Sequence, residues 1–281
     1  MPGMRSVRVG DFRPSIHGLH FPNAWPPGPT LRLGPFDPRW FGVGDASQGL
    51  CGGMAFVVGD CWAAGVLPPE DRRPPPVDSP RFRRLVHRQV ESLDWGRLPL
   101  ALWRRSVWPD RTARPGCEAR RGPESRAGFE LRPEREPPPG LEPPPGPEPL
   151  LTAALRRLGV RPLADLVLDR DWPAIRRTID AGRLAMVGLV RRRSANPWAL
   201  VGNHQVVAYG YRLGRDEIRI AVYDPNHPDR DDVELVVELG TGGRAAALFQ
   251  TTGEPLFGLV CSRYRPEPPG PWRPARAGPL R

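Results

Sequence analysis

The chain has 281 residues, enough for a sizeable buried core in one large domain or two small ones. All 41 of its basic residues are arginine, against 31 acidic ones, and 39 residues are proline. That is the mark of GC-rich codon usage rather than of a basic binding face; no basic stripe interleaved with aromatics argues for nucleic acid, and no apolar run nears the ~20 residues of a membrane span.

Residues 1–45 are rich in Pro, Gly and aromatics (Phe21, Trp25, Phe36, Trp40, Phe41) without a sustained period, and read as irregular chain packed on a domain. No apolar core of signal-peptide length follows Met1-Pro2-Gly3-Met4-Arg5, so the expected location is the cytoplasm. A first helix is expected over 51–64, with Met54, Val58, Cys61 and Trp62 on one face and Gly65 as its stop. A second runs from about 80 to 95. Ser79 caps it, Phe82, Leu85, Val86, Val90 and Leu93 form its buried stripe, and Arg83, Arg84, His87 and Arg88 cover the solvent side.

Residues 110–149 break the pattern: 11 of these 40 are Pro and apolar residues nearly vanish. Such a segment cannot bury enough surface to offset its ordering entropy, so it reads as a disordered insertion. Helical signals resume at 150–158, and Asp171 is expected to cap a helix over 172–181 ended by Gly182. The half from 184 to 264 is β-rich, with strands expected at 184–190, 203–212, 217–223, 232–239 and 256–263. Helices first and an antiparallel sheet later give an α+β layout in a single domain over 1–281.

Three residues carry the chemistry. Cys51 opens a helix, where free amides and the dipole favour a thiolate over a thiol of ordinary pKa about 8.5. Gly52 and Gly53 follow, and glycine in a first turn points to close backbone approach. His204 opens a strand, in Asn203-His204-Gln205-Val206-Val207, and Asp224 closes the next, in Val222-Tyr223-Asp224-Pro225-Asn226. A hairpin centred on Gly214 sets His204 directly opposite Asp224, within reach of an imidazole–carboxylate hydrogen bond, and leaves Asn226 a diagonal neighbour. Gln48 is a candidate donor to an oxyanion beside the Cys51 amide. Asp224, Asn226, Asp229, Asp231 and Asp232 offer oxygens, but the Gly and bidentate Glu of a calcium loop are missing. The four cysteines at 51, 61, 117 and 261 form no CxxC pair. No metal and no cofactor is expected.

Gly-Leu-Cys51-Gly-Gly, His204-Gln-Val-Val-Ala-Tyr-Gly and Val-Tyr-Asp224-Pro together resemble papain-like cysteine peptidases, particularly the bacterial C39-like group. The likeness covers about residues 45–65 and 200–226. It implies a papain-like fold with a nucleophile helix packed on a C-terminal antiparallel sheet. It further implies Cys51 as nucleophile, His204 as base, Asp224 as its orienter and Gln48 at the oxyanion hole, acting on a peptide or amide. The same triad serves acyl or glutamyl transferases, and an inert binding module is the reading outside enzymes.

Overall fold

The structure, a computed structural model, describes residues 5–25, 49–77, 79–92, 167–191, 204–240, 245–254 and 256–272, which all belong to one compact unit. The proline-rich stretch at 110–149, the helical signal at 150–158, Cys117 and Gln48 lie outside the described residues.

The short strand β1 (Arg5–Arg8) and the single-turn helix α1 (Pro14–His17) come first, inside the segment that reads as irregular in the sequence. Val9, Phe12, Leu19, Phe21 and Trp25 of that segment are buried. Helix α2 (Cys51–Ala63) is buried from Cys51 through Cys61 rather than along one face, because it is enclosed by α3 (Pro80–Ser92) and the sheet. The glycine pair makes the enclosure feasible. A Cβ on Gly53 would stand 2.1 Å from the Leu85 carbonyl oxygen of α3, and one on Gly52 would stand 2.1 Å from Ser92 Oγ and 3.0 Å from Gln205 Cδ. Those distances lie far inside van der Waals contact, so only glycine lets α2 sit this close to both neighbours.

Ser79 caps α3, its Oγ accepting the Phe82 N–H at 3.2 Å. Phe82, Leu85 and Val86 are buried and His87 is exposed. Arg88, expected on the solvent side, is 2% exposed, and Arg84 is largely covered. The reason is Asp60 of α2, which is fully buried and draws both guanidinium groups inward. Its carboxylate accepts from Arg88 Nη2 at 2.8 Å, Arg84 Nη2 at 3.1 Å, the Tyr264 hydroxyl at 2.9 Å and the Glu267 amide at 3.0 Å. A buried carboxylate with this many donors is a four-way staple between α2, α3 and the chain after the last strand.

Helix α4 (Trp172–Asp180) continues a π-turn at Val167–Asp171. Asp171 therefore has helical angles (φ −80°, ψ −45°) and makes no side-chain cap; its Oδ1 instead accepts the Cys261 amide at 3.4 Å. Gly182, at φ +69°, closes the helix.

The remaining strands are β2 (Ala185–Val190), β3 (His204–Leu213), β4 (Glu217–Tyr223), β5 (Glu234–Leu239), β6 (Ala245–Gln250) and β7 (Gly258–Ser262). They form one antiparallel sheet in the order β6-β5-β4-β3-β2-β7, and β1 pairs with the far half of β3 beyond the end of β2. Mixed helices with this sheet make the fold α+β. Neither β1 nor β6 is expected from the sequence. Every position of β3 from His204 to Tyr211 is buried, because α2 covers one of its faces and α4 packs on it as well.

The β3–β4 hairpin is not centred on Gly214. Leu213 pairs with Ile218, and the Gly214 amide donates to the Glu217 carbonyl at 2.9 Å, so Arg215 and Asp216 form the turn. A bulge at Tyr209 then shifts the ladder, and beyond it Val207 pairs with Tyr223. Continued by one step, this register sets Asp224 opposite Val206 and makes His204 and Asp224 a diagonal pair on one face, not an opposed one.

Candidate active site

Cys51, His204 and Asp224 come from three elements and meet at the N-terminus of α2. Cys51 is the first residue of that helix and is 8% exposed. Its thiol is buried against the His204 ring and the Gln205 amide, which act on it electrostatically. His204 starts β3 beside Leu189 of β2, and its Nε2 lies 2.5 Å from Asp224 Oδ1. With Nε2 engaged by the carboxylate, Nδ1 is the nitrogen that serves the thiol.

Asp224 is fully buried and held on both oxygens. Oδ1 also accepts the Asn226 amide at 2.8 Å, and the His227 amide donates to the Asp224 carbonyl at 2.9 Å, so the carboxylate closes the Asp224–His227 turn with its own chain. Oδ2 accepts from Gln250 Nε2 at 2.6 Å, and Arg191 Nη2 lies 3.6 Å away. The diagonal placement is thus bridged by side chains locked in one orientation, not by the ladder.

The electrostatics follow from this geometry. Burial pushes the Cys51 thiol up, but the charge and hydrogen bond of His204 and the Gln205 amide outweigh it, so the thiol titrates below its ordinary value. For His204, burial works against the charged ring, and the Asp224 carboxylate and the Cys51 thiolate override it, raising the imidazole to about 9. Burial likewise opposes ionisation of Asp224, yet His204, the Asn226 amide and Gln250 hold its carboxyl well below the usual carboxylate range. All three shifts favour a thiolate–imidazolium pair braced by a carboxylate. The other described thiols behave in the opposite way. Burial beside Asp60 pushes Cys61 to about 12, and burial near Asp171 pushes Cys261 to about 11.

The helix end offers backbone donors to a developing oxyanion. In α2 the Met54 amide donates to the Leu50 carbonyl, and the Gly53 amide donates to Gln89 Oε1 of α3 at 2.8 Å. The amides of Cys51 and Gly52 have no carbonyl four residues back inside the helix. They flank the sulfur at the open end of the helix.

Two groups among the described residues have metal-ligand types close together: Asp224, His227 and Glu254, and His87, Glu91 and Glu267. Guanidinium groups already serve both. Arg191 Nη2 is 2.9 Å from Glu254 Oε2, Arg84 Nη1 is 2.8 Å from Glu267 Oε2, and Arg88 bonds Glu91.

Of the candidates read from sequence, Cys51, His204 and Asp224 are brought together; Gln48 lies outside the described residues, and Asn226 contributes its amide to Asp224 rather than its side chain to His204. Gln250, Arg191 and Gln89 are additions that the sequence does not announce. Gln250 sits at the end of an unforeseen strand, where a lone glutamine after Ala-Ala-Ala-Leu-Phe is its only trace. Comparison with protein-family models, with curated proteins and with solved structures finds no match.

Proposed function

We propose that the protein is a papain-like cysteine hydrolase acting on a peptide or amide bond, with Cys51 as nucleophile, His204 as acid and base and Asp224 as orienter. The observation that carries the reading is a buried cysteine opening α2 beside a buried histidine whose Nε2 lies 2.5 Å from Asp224 Oδ1. Supporting it are the opposed titration shifts: a lowered thiol at Cys51 and raised thiols at Cys61 and Cys261.

In this reading the Cys51 thiolate attacks the carbonyl carbon, and the amides at the start of α2 stabilise the oxyanion, with Gln48 as the side-chain donor that the family likeness implies. His204 Nδ1–H protonates the departing amine, which leaves a thioester on Cys51. His204, now neutral, takes a proton from water as it attacks the thioester, and the thiolate and the acid product are released. Asp224 keeps its proton count throughout and stabilises the imidazolium. A donor amine in place of water would make the same intermediate a transferase step.

The test is incubation of the protein with a mixed peptide library, with and without an added primary amine, followed by mass analysis. Cleavage products that appear with wild type and vanish with Cys51→Ser support a hydrolase; amine adducts that dominate over acids support a transferase. A library unchanged by wild type, together with no covalent adduct on Cys51 from a peptide aldehyde, points to an inert binding module.

A further inference from the structure

His204 is not the only link between the nucleophile turn and the acid turn. Asn23 forms a second one, from the residue before Cys51 to the residues after Asp224. Its Oδ1 accepts the Leu50 amide at 2.6 Å. On the other side its backbone amide donates to the Pro225 carbonyl at 3.0 Å, and its Nδ2 donates to Asn226 Oδ1 at 3.2 Å. Asn226 in turn gives its own amide to Asp224 Oδ1. Two bridges therefore run side by side, Cys51–His204–Asp224 and Leu50–Asn23–Asn226.

The turn before Cys51 is shaped around this side chain. Gly49 is at φ +90°, and a Cβ there would stand 2.4 Å from Asn23 Nδ2. Glycine at this position both admits the left-handed backbone and makes room for the amide. Leu50, at the N-cap of α2, has no side chain able to cap the helix, so among the described residues the polar fixing of this turn comes from Asn23.

We infer that Asn23 is a positioning residue of the triad, a brace that sets the distance between the Cys51 turn and the Asp224 turn and so the alignment of thiol and imidazole. The inference rests on the catalytic reading of Cys51. It assigns Asn23 no contact with substrate. Its effect is exerted on the thiolate–imidazolium pair, because that pair depends on separation far more steeply than fold stability depends on two part-exposed hydrogen bonds.

The experiment measures the rate of Cys51 alkylation by iodoacetamide against pH, alongside the melting temperature, for wild type, Asn23→Ala, Asn23→Asp and Asn226→Ala. Wild-type Cys51 reacts below the ordinary thiol range. Asn23→Ala moves the midpoint of its profile to higher pH and leaves the alkaline plateau unchanged. Each pH unit by which the midpoint rises lowers the rate on the acid side about tenfold. Asn23→Asp keeps the acceptor for Leu50 N–H, and the exposed Asn226 amide can turn to donate to it, so the profile returns toward wild type. Asn226→Ala reads the brace from its exposed end and moves the profile the same way by a smaller amount, which serves if Asn23→Ala does not fold. An Asn23→Ala or Asn226→Ala profile superimposable on wild type overturns the inference. So does a drop in melting temperature that Asn23→Asp fails to reverse while the acid-side reactivity of the folded fraction is unchanged. A wild-type curve with an ordinary thiol pKa overturns the catalytic reading itself, and the inference with it; the wild-type measurement alone distinguishes that case.

Discussion

His204 Nε2 meets Asp224 Oδ1 at 2.5 Å although the strand ladder places the two residues on a diagonal. A diagonal neighbour lies about 7–8 Å away, outside direct contact for short side chains but within reach of an imidazole and a carboxylate aimed at each other. The aim is supplied by the Asn226 amide on Oδ1 and by Gln250 on Oδ2.

Asp224→Asn is therefore expected to leave a folded protein and to lower turnover by about 10⁴, the loss seen when the acid of a comparable triad is neutralised. Asn226→Ala, whose backbone amide still reaches Asp224, should lower it far less. Turnover and melting temperature measured on the same preparations check this. The reverse ranking would make Asn226 the orienter.

Gln250→Leu removes the donor to Asp224 Oδ2 and leaves a buried carboxylate oxygen without it. The expected outcome is a loss of about 1–3 kcal/mol of stability, the penalty for a buried acceptor that loses its donor, with turnover across the pH–rate profile lowered by more than the unfolded fraction explains. Denaturant unfolding and the rate profile test the two halves separately.

How much of the fold and site is legible in the sequence follows from where the signals lie. Cys51 at a helix start, His204 at a strand start and Asp224 before a Pro turn are local features, and each stands on the element the sequence implies. The register between them is not legible. It depends on which residues form the β3–β4 turn and on the bulge at Tyr209, and neither leaves a compositional mark: Leu213-Gly214-Arg215 is as good a turn as Gly214-Arg215-Asp216-Glu217. In the sequence Asp60 is one polar residue in an apolar helix, and Arg84 and Arg88 belong to a solvent face. Only the tertiary fold shows that they are partners. Strand β1 is hidden because a four-residue edge pairing is too short for periodicity to reveal.

The Asp60 staple yields a stability prediction. Asp60→Ala takes from Arg88, 2% exposed, its one fully buried carboxylate partner and leaves it the half-covered Glu91 and Glu267. Breaking a buried pair in this way is expected to lower stability by about 3–5 kcal/mol, read as a large fall in melting temperature. A change under about 1 kcal/mol would place the strength of this junction in apolar packing instead.

The glycine pair yields another. Gly53→Ala sets a methyl 2.1 Å from the Leu85 carbonyl oxygen, so α2 must move away from α3. Overpacking of this kind costs about 1–3 kcal/mol, and here the movement also displaces Cys51, so activity should fall by more than the unfolded fraction explains.

The pH dependence has a defined sign. The Asp224 carboxyl is depressed from its ordinary 3.8, so the stability it contributes is present above 3.8 and is lost progressively as pH falls below that value. Asp224→Asn should flatten the acid side of the stability curve. Turnover should rise with formation of the thiolate–imidazolium pair below the ordinary thiol range and fall near pH 9, where His204 loses its proton.

The proposed chemistry stands or falls on Cys51 being a thiolate paired with His204, and the ultraviolet absorbance of the thiolate reports it. The pH titration of wild type minus that of Cys51→Ser isolates this one sulfur. A thiolate formed below the ordinary thiol value is expected in wild type, and in His204→Asn a Cys51 that titrates at or above the ordinary thiol value of about 8.5. A wild-type difference curve that rises only above that value, unchanged by His204→Asn, would refute the pairing.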